Sequence, residues 1–251
     1  YDTWHAMGQG ATTGSLVVTL EALKEMHLTP EDIQLIQNDT KTCPDTGMAG
    51  ASRSLYMDGN ATIIAANKLL AAMRKEDGTL RTYDEMKAEG IETKYLGRYE
   101  TNTTPGLCRL DPNTGIGDPT PAFTYCLNLA EVEVDTKTGK TTVLKFTCVD
   151  FVGRIGNIDA VNGQAYSGIM HGIGFALKED YADVKKHANM FGAGTSYIKD
   201  VPDDIDLIHI DGAISDGPFG SSGASEAFQA SGPCAVLNGI YNACGVRIHE
   251  I

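Results

Sequence analysis

Four small-residue segments hold the positions of this sequence best suited to chemistry: "MGQG" (Met7 to Gly10), "TGMAGASRS" (Thr46 to Ser54), "GQAYSGIMHGIG" (Gly163 to Gly174) and "GPFGSSGASE" (Gly217 to Glu226). Small side chains leave backbone N–H groups accessible, and a loop that opens a helix adds the positive end of the helix dipole. Both effects suit a phosphate or another anion. No Gly-Lys-Ser/Thr follows any of the segments, so none is a P-loop, and "GIGFAL" lies inside a helical pattern rather than after a strand. Gln9 and Gln164 each stand beside glycine. An amide can read the edge of a heterocycle or an oxo group, or it can bond the backbone of its own loop. Glu226 is the single carboxylate among the glycines, serines and alanines of the fourth segment.

"GASEA" around Ser225 has Ala227 where a nucleophile elbow needs its second glycine, which argues against a serine hydrolase. Of the six histidines, His171 and His209 lie in apolar stretches and read as satisfied core or surface residues. The six cysteines, Cys43, Cys108, Cys126, Cys148, Cys234 and Cys244, form no CxxC pair. Zinc and cysteine-held iron–sulfur sites are therefore not expected within the chain, and scattered thiols fit a reducing compartment, the cytoplasm.

Several elements must position these segments. "TTGSLVVTLEALKEM" reads as a helix with a threonine cap and Leu16, Val17, Leu20 and Leu23 on its apolar face. "TPEDIQLIQND" reads as an acidic turn followed by a short strand, and a long helical pattern follows "GASRS". A short helix in "TYDEMKAEG" and a strand over Lys94 to Tyr99 are expected next. "FTYCLNLAEVEVD" and "TTVLKFTCVDFVG" flank "TKTGK" as a long β-hairpin with one buried and one wet face. The stretch around Gln164 has helical spacing but includes Gly163, Gly168, Gly172 and Gly174. Each interior glycine costs a helix ~1 kcal/mol, so close packing against another backbone or a ligand is expected. The strand "DIDLIHIDGAI", the Gly/Ser loop bearing Glu226 and a last helix around "PCAVLNGIYNACG" complete an α+β architecture, with subdomains expected over 1–120 and 121–251.

The formal net charge is −13, from 33 acidic and 20 basic residues, which disfavours nucleic acid and anionic membranes as partners. No apolar run approaches the ~20 residues of a membrane span. A small-molecule substrate is the expected partner. The absence of a starting Met leads to the expectation that the chain is a piece of a longer protein.

Taken in order, "MGQGA", "TPEDIQL", "GASRS", "AEVEVDTKTGKT", "GQAYSGIMHGIGFAL", "YIKDVPDDI", "GPFGSSGASE" and "YNACGVRI" resemble the molybdenum-binding subunit of the xanthine oxidase family of molybdenum hydroxylases, with the strongest likeness to bacterial aldehyde oxidoreductases. The resemblance covers essentially the whole chain and identifies it as the second, C-terminal molybdopterin-binding domain. It implies partners in an upstream molybdopterin-binding half and in iron–sulfur domains. It also implies a molybdopterin, in its cytosine dinucleotide form, whose molybdenum has no direct protein ligand. On the family's pattern, Gly8, Gln9 and Gly10 lie near the pterin and the metal's oxo group. Gly50, Ala51, Ser52, Arg53 and Ser54 cradle the phosphate-bearing part, Gln164 binds the pterin from the other side, and Gly223, Ala224 and Ser225 approach the metal centre. Glu226 takes the place of the general base that deprotonates a metal-bound hydroxide, while iron–sulfur clusters outside the chain carry electrons away.

The implied reaction is the hydroxylation of an aldehyde to a carboxylic acid with water as the oxygen source. The alternatives are hydroxylation of purines or other N-heteroaromatics at the same centre, and a non-catalytic domain of the same fold. The sequence departs from the family at four positions. Ser225 adds a hydroxyl beside the base, Phe228 replaces a common proline, Thr12 replaces a frequent Asp, and Ala49 replaces a frequent hydroxyl residue.

Overall fold

A computed structural model of the chain describes residues 1–37, 39–101 and 110–249. They divide into two units. Unit 1 comprises Tyr1–Phe123, Arg154–Asn157 and Ala213–Gly223, and unit 2 comprises Thr124–Gly153, Ile158–Gly212 and Ala224–Ile251. Cys108 lies outside the described residues.

Unit 1 is built on helices α1 (Ala11–Ala22), α2 (Ser54–Met73) and α3 (Tyr83–Ala88). Gly10, in the left-handed region at φ 86°, is the N-cap of α1, with no side-chain cap. This replaces the expected threonine cap, because the left-handed entry is conformationally open to glycine. The buried stripe also differs from expectation: Ala11, Ser15 and Val18 face inward, while the leucines are half-buried. Ser15 tolerates burial because its hydroxyl donates to Asp2. Trp4, Ala11 and Val18 form a core against which Leu55 and Ile63 of α2 pack.

The expected strand after Pro30 is absent. Pro30–Asp32 forms one turn of 3-10 helix, and the residues from Ile33 to Gln37 have no strand partner. The Lys94–Tyr99 stretch likewise forms no strand. It lies against α2 instead of a strand: a Cβ on Gly97 would sit 1.8 Å from the Ala61 carbonyl oxygen, and Tyr99 meets Tyr56 edge-on at 5.8 Å. The α3 helix forms as expected, with a capping box between Thr82 and Glu85.

In unit 2 the expected hairpin is present as β1 (Tyr125–Val134) and β2 (Thr141–Phe151), antiparallel with a register shift at Glu131/Val132. Asp135 nucleates the turn, accepting from the Lys137 N–H at 2.9 Å and the Thr138 hydroxyl at 2.8 Å. The β3 strand (Asp204–His209) pairs parallel to β2, giving the order β1-β2-β3. A parallel neighbour requires a long crossover. It contains α4 (Ile158–Leu177).

The buried face of the sheet presents Phe146, Cys148 and Asp150, and the core continues with Ala165, Ile169 and Ile173 of α4. It is completed by Phe228 of α5 (Ser225–Ala230) and by Val236 and Ile240 of α6 (Gly232–Cys244). The glycines of α4 are consumed largely in this packing. A Cβ on Gly168 would lie 2.5 Å from the Phe228 Cβ, and one on Gly172 would lie 3.0 Å from the Gly232 Cα. Gly163 has open space around it.

Candidate functional site

Each unit holds part of the expected set. In unit 1, Gly8 (φ 110°), Gln9 and Gly10 form the entry to α1. Two hydrogen bonds hold this loop through the Gln9 side chain: its Oε1 accepts from the Met7 N–H at 2.6 Å, and its Nε2 donates to the His5 carbonyl at 2.5 Å. Gln9 therefore shapes its own loop, and its second amide hydrogen and second lone pair are the groups left to meet a ligand.

The entry to α2 is more unusual. Ala51 and Ser52 both have φ 52°, followed by Arg53 in the right-handed region at φ −81°. Left-handed conformations cost an L-residue about 1–2 kcal/mol each. A left-handed to right-handed succession turns consecutive N–H groups toward one concave side, a nest for an anion, and the N-terminus of a 20-residue helix stands behind it. Two neighbours hold the turn. Arg53 Nη1 donates to the carbonyls of Met48 at 2.7 Å and Thr46 at 3.4 Å. Gly223 presses on Ser52 so closely that a Cβ there would lie 2.0 Å from the Ser52 carbonyl oxygen. The structure thus brings together two segments separated by about 170 residues of sequence, the second and the fourth.

Unit 1 also contains a cavity of about 1000 Å³ whose walls include Trp4, Arg53, Asp58, Tyr95 and Tyr99. Of the expected contacts only Arg53 lines it. Burial pushes the Asp58 carboxyl up to about 6, opposed by the charge of Arg53.

In unit 2, Gln164 lies half-buried in the second turn of α4, while Ala224, Ser225 and Glu226 open α5. Glu226, expected in the Gly/Ser loop, is the second residue of this short helix and exposed. Phe228, noted in the sequence as a departure from the family, is fully buried beneath α4. Its side chain is part of the seating of α5 against α4, and its main-chain carbonyl, which any residue would supply, accepts from Asn128 Nδ2 at 3.2 Å. Gln164 and Gly168 are one helical turn apart and share a face of α4, the face on which α5 packs. The helix pair α4–α5 therefore carries both side-chain candidates of this unit.

His171 is exposed, whereas His209 is a satisfied, largely buried histidine. Its partners, Asp150 and Asn162, carried no signal in the sequence. They stand 59 and 47 residues away, and a buried Asp is indistinguishable from a surface one until the sheet is assembled. Among the described residues, no group of three or more His, Cys, Asp or Glu side chains could hold a metal ion. The Ala51–Ser52 turn brings main-chain groups rather than metal-ligating side chains to the start of α2, and its Arg53 N–H donates to the Gly50 carbonyl at 3.2 Å.

The profile of the molybdopterin cofactor-binding domain family matches residues 1–202. The chain belongs to this family.

An aldehyde oxidoreductase of Megalodesulfovibrio gigas is 41% identical over all 251 residues, which cover 27% of its own length. A probable hypoxanthine oxidase of Escherichia coli (strain K12) is 28% identical over 98% of the chain, again 27% of its length. Among solved structures, the aldehyde oxidoreductase from Desulfovibrio desulfuricans ATCC 27774 superposes with a TM-score of 0.93 at 45% identity, covering 98% of this chain and 27% of that one. The molybdopterin cofactor-binding domain described here thus spans about a quarter of the length of its relatives. No helix among the described residues is long and apolar enough to cross a membrane.

Proposed function

We propose that this chain is part of the cofactor-holding portion of an oxidoreductase that converts an aldehyde to a carboxylic acid with water as the oxygen source. The end-to-end 41% identity with a protein named aldehyde oxidoreductase carries the reading. When bound, molybdopterin with its molybdenum would supply the activation of the oxygen nucleophile and the acceptance of two electrons. The remaining steps fall to this chain.

The Ala51–Ser52 turn and the start of α2 would bind the phosphate-bearing part through main-chain N–H groups, with Gly50, Arg53 and Ser54 completing the loop. Gly8, Gln9 and Gly10 would meet the pterin from the α1 entry, and Gln164 would orient it from α4 through its amide. Glu226 would take the proton from the attacking oxygen. Gly223, Ala224 and Ser225 beside it leave that oxygen free to come within the ~2.6–3.2 Å that proton transfer requires. The cytosine dinucleotide form, iron–sulfur clusters elsewhere in the full-length protein, an upstream cofactor-binding half and a cytoplasmic setting belong to the same proposal.

The second reading, hydroxylation of purines or related N-heteroaromatics, is favoured by the similarity to a probable hypoxanthine oxidase. Turnover of the full-length protein with benzaldehyde and with xanthine separates the two. Aldehyde oxidation is expected, and activity on xanthine alone would overturn the first reading.

A further inference from the structure

The inner face of the sheet in unit 2 carries a polar chain that the proposed chemistry does not use. Asp150 on β2 and His209 on β3 are register partners of the parallel pair, so their side chains leave the sheet on the same side. The Asp150 side chain is fully buried. Its Oδ2 lies 2.6 Å from His209 Nδ1, and His209 Nε2 lies 2.7 Å from Oδ1 of Asn162 in α4. The Ile210 N–H donates to the Asp150 carbonyl at 2.8 Å and closes the end of β3 beside this chain.

Either protonation state of the imidazole preserves the link. A doubly protonated ring donates to both oxygens. A neutral ring keeps its Nδ1–H on Asp150 and accepts at Nε2 from the amide of Asn162 turned over.

Helix α4 has an unusual need for such a link. Its contacts with α5 and α6 run through glycines, Gly168 and Gly172, beside the buried Ala165, Ile169 and Ile173, and where no side chain projects fewer ridges oppose rotation or sliding. Asn162 ties the second turn of the helix to the sheet. Gln164, two residues on, projects about 200° around the axis from it. A rotation of α4 that Asn162 would resist therefore swings Gln164 directly. Gly168, on which α5 sits with Glu226 in its first turn, moves with it.

We propose that Asp150, His209 and Asn162 form a positioning strut that sets the rotation of α4, and with it the direction in which Gln164 presents its amide to the molybdopterin. The proposal rests on the reading of Gln164 as a cofactor contact. The strut holds α4 in place, and Gln164 makes the contact.

The test uses the full-length protein with Asn162→Leu, His209→Asn, Gln164→Ala and the double variant Asn162→Leu/Gln164→Ala. His209→Asn keeps a donor near Asp150 while falling short of Asn162, and it serves if the leucine variant does not fold. Pterin release and the unfolding midpoint of the cofactor-free protein are measured together with amide hydrogen exchange of residues 158–164. Gln164→Ala and Asn162→Leu are each expected to speed pterin release about tenfold at an unchanged midpoint. The double variant should be no faster than Gln164→Ala alone, because the strut acts through Gln164. Multiplicative effects, or normal release from Asn162→Leu, would overturn the proposal. If Gln164→Ala releases pterin normally, the cofactor reading of Gln164 fails instead. Exchange then judges the strut itself: about tenfold faster exchange in Asn162→Leu and His209→Asn upholds it, and unchanged exchange refutes it.

Discussion

The candidate contacts of unit 1 are main-chain groups, whereas those of unit 2 are side chains, and the two units hold them by different means. In unit 1 the Ala51–Ser52 turn is forced into the left-handed region and kept there by Arg53 on its carbonyl flank and Gly223 against its back. Its specificity lies in what is missing, since a methyl group at 223 has nowhere to go. In unit 2 the Gln164 amide and the Glu226 carboxylate ride on helices that meet through Gly168 and Phe228, with a buried carboxylate and imidazole behind them. A backbone site tolerates changes of side-chain chemistry but not added bulk. A side-chain site reverses that sensitivity.

Four substitutions would break or sharpen this contrast. Glu226→Gln in the full-length protein is expected to lower kcat by about 10²- to 10⁴-fold while leaving pterin content intact, as measured by steady-state turnover and cofactor assay. Full turnover would remove Glu226 from the mechanism and leave unit 2 with Gln164 alone. Gly223→Ala should destabilise the protein by about 1–3 kcal/mol and reduce pterin content, because either the new Cβ or the Ser52 carbonyl must shift. Denaturant unfolding and cofactor assay together report it, and a neutral result would mean that the turn is not held from behind.

Ser52→Gly has the opposite sign. It relieves a left-handed serine and should raise the unfolding midpoint or leave it unchanged, within about 1 kcal/mol, with pterin content preserved. Loss of pterin in this variant would transfer the contact from the backbone to the Ser52 hydroxyl.

The smallest effect concerns Asp58, whose carboxyl is pushed by burial from 3.8 up to about 6. The folded state therefore retains the proton to higher pH than the unfolded chain does. The stability this gives is complete below about pH 4 and is lost as pH rises through about 6. Asp58→Asn, uncharged throughout, should raise the unfolding midpoint near pH 7 and have little effect near pH 4. Equal shifts at both values would assign the effect to packing.

Local pattern made much of this legible in advance. The hairpin followed from alternation on either side of "TKTGK", and α2, α3, α4 and α6 followed from periodicity and capping. The two expected strands, after Pro30 and at Lys94–Tyr99, had strand-like composition, but strands need a ladder of partners; the first segment has one main-chain bond from Asp2 to Ile36, and neither forms a ladder among the described residues. Gln9 shows the same limit at the level of a single residue. Its position beside glycine was readable, while the two backbone groups that hold its amide were not. Phe228 looked like a change at the reactive end of a loop and is core, because a residue's depth depends on the helix above it.

The sequence by itself determined the family, the order of the four small-residue segments and the candidates proposed to meet a molybdopterin. Those properties are carried by residue type and short spacing, which survive without coordinates. Only the tertiary structure decided that Ala51 and Ser52 are left-handed, that Gly223 closes on Ser52 and that Asp150, His209 and Asn162 join into one chain. Each of these is a contact or a backbone state imposed by residues distant in sequence, and no local propensity encodes it.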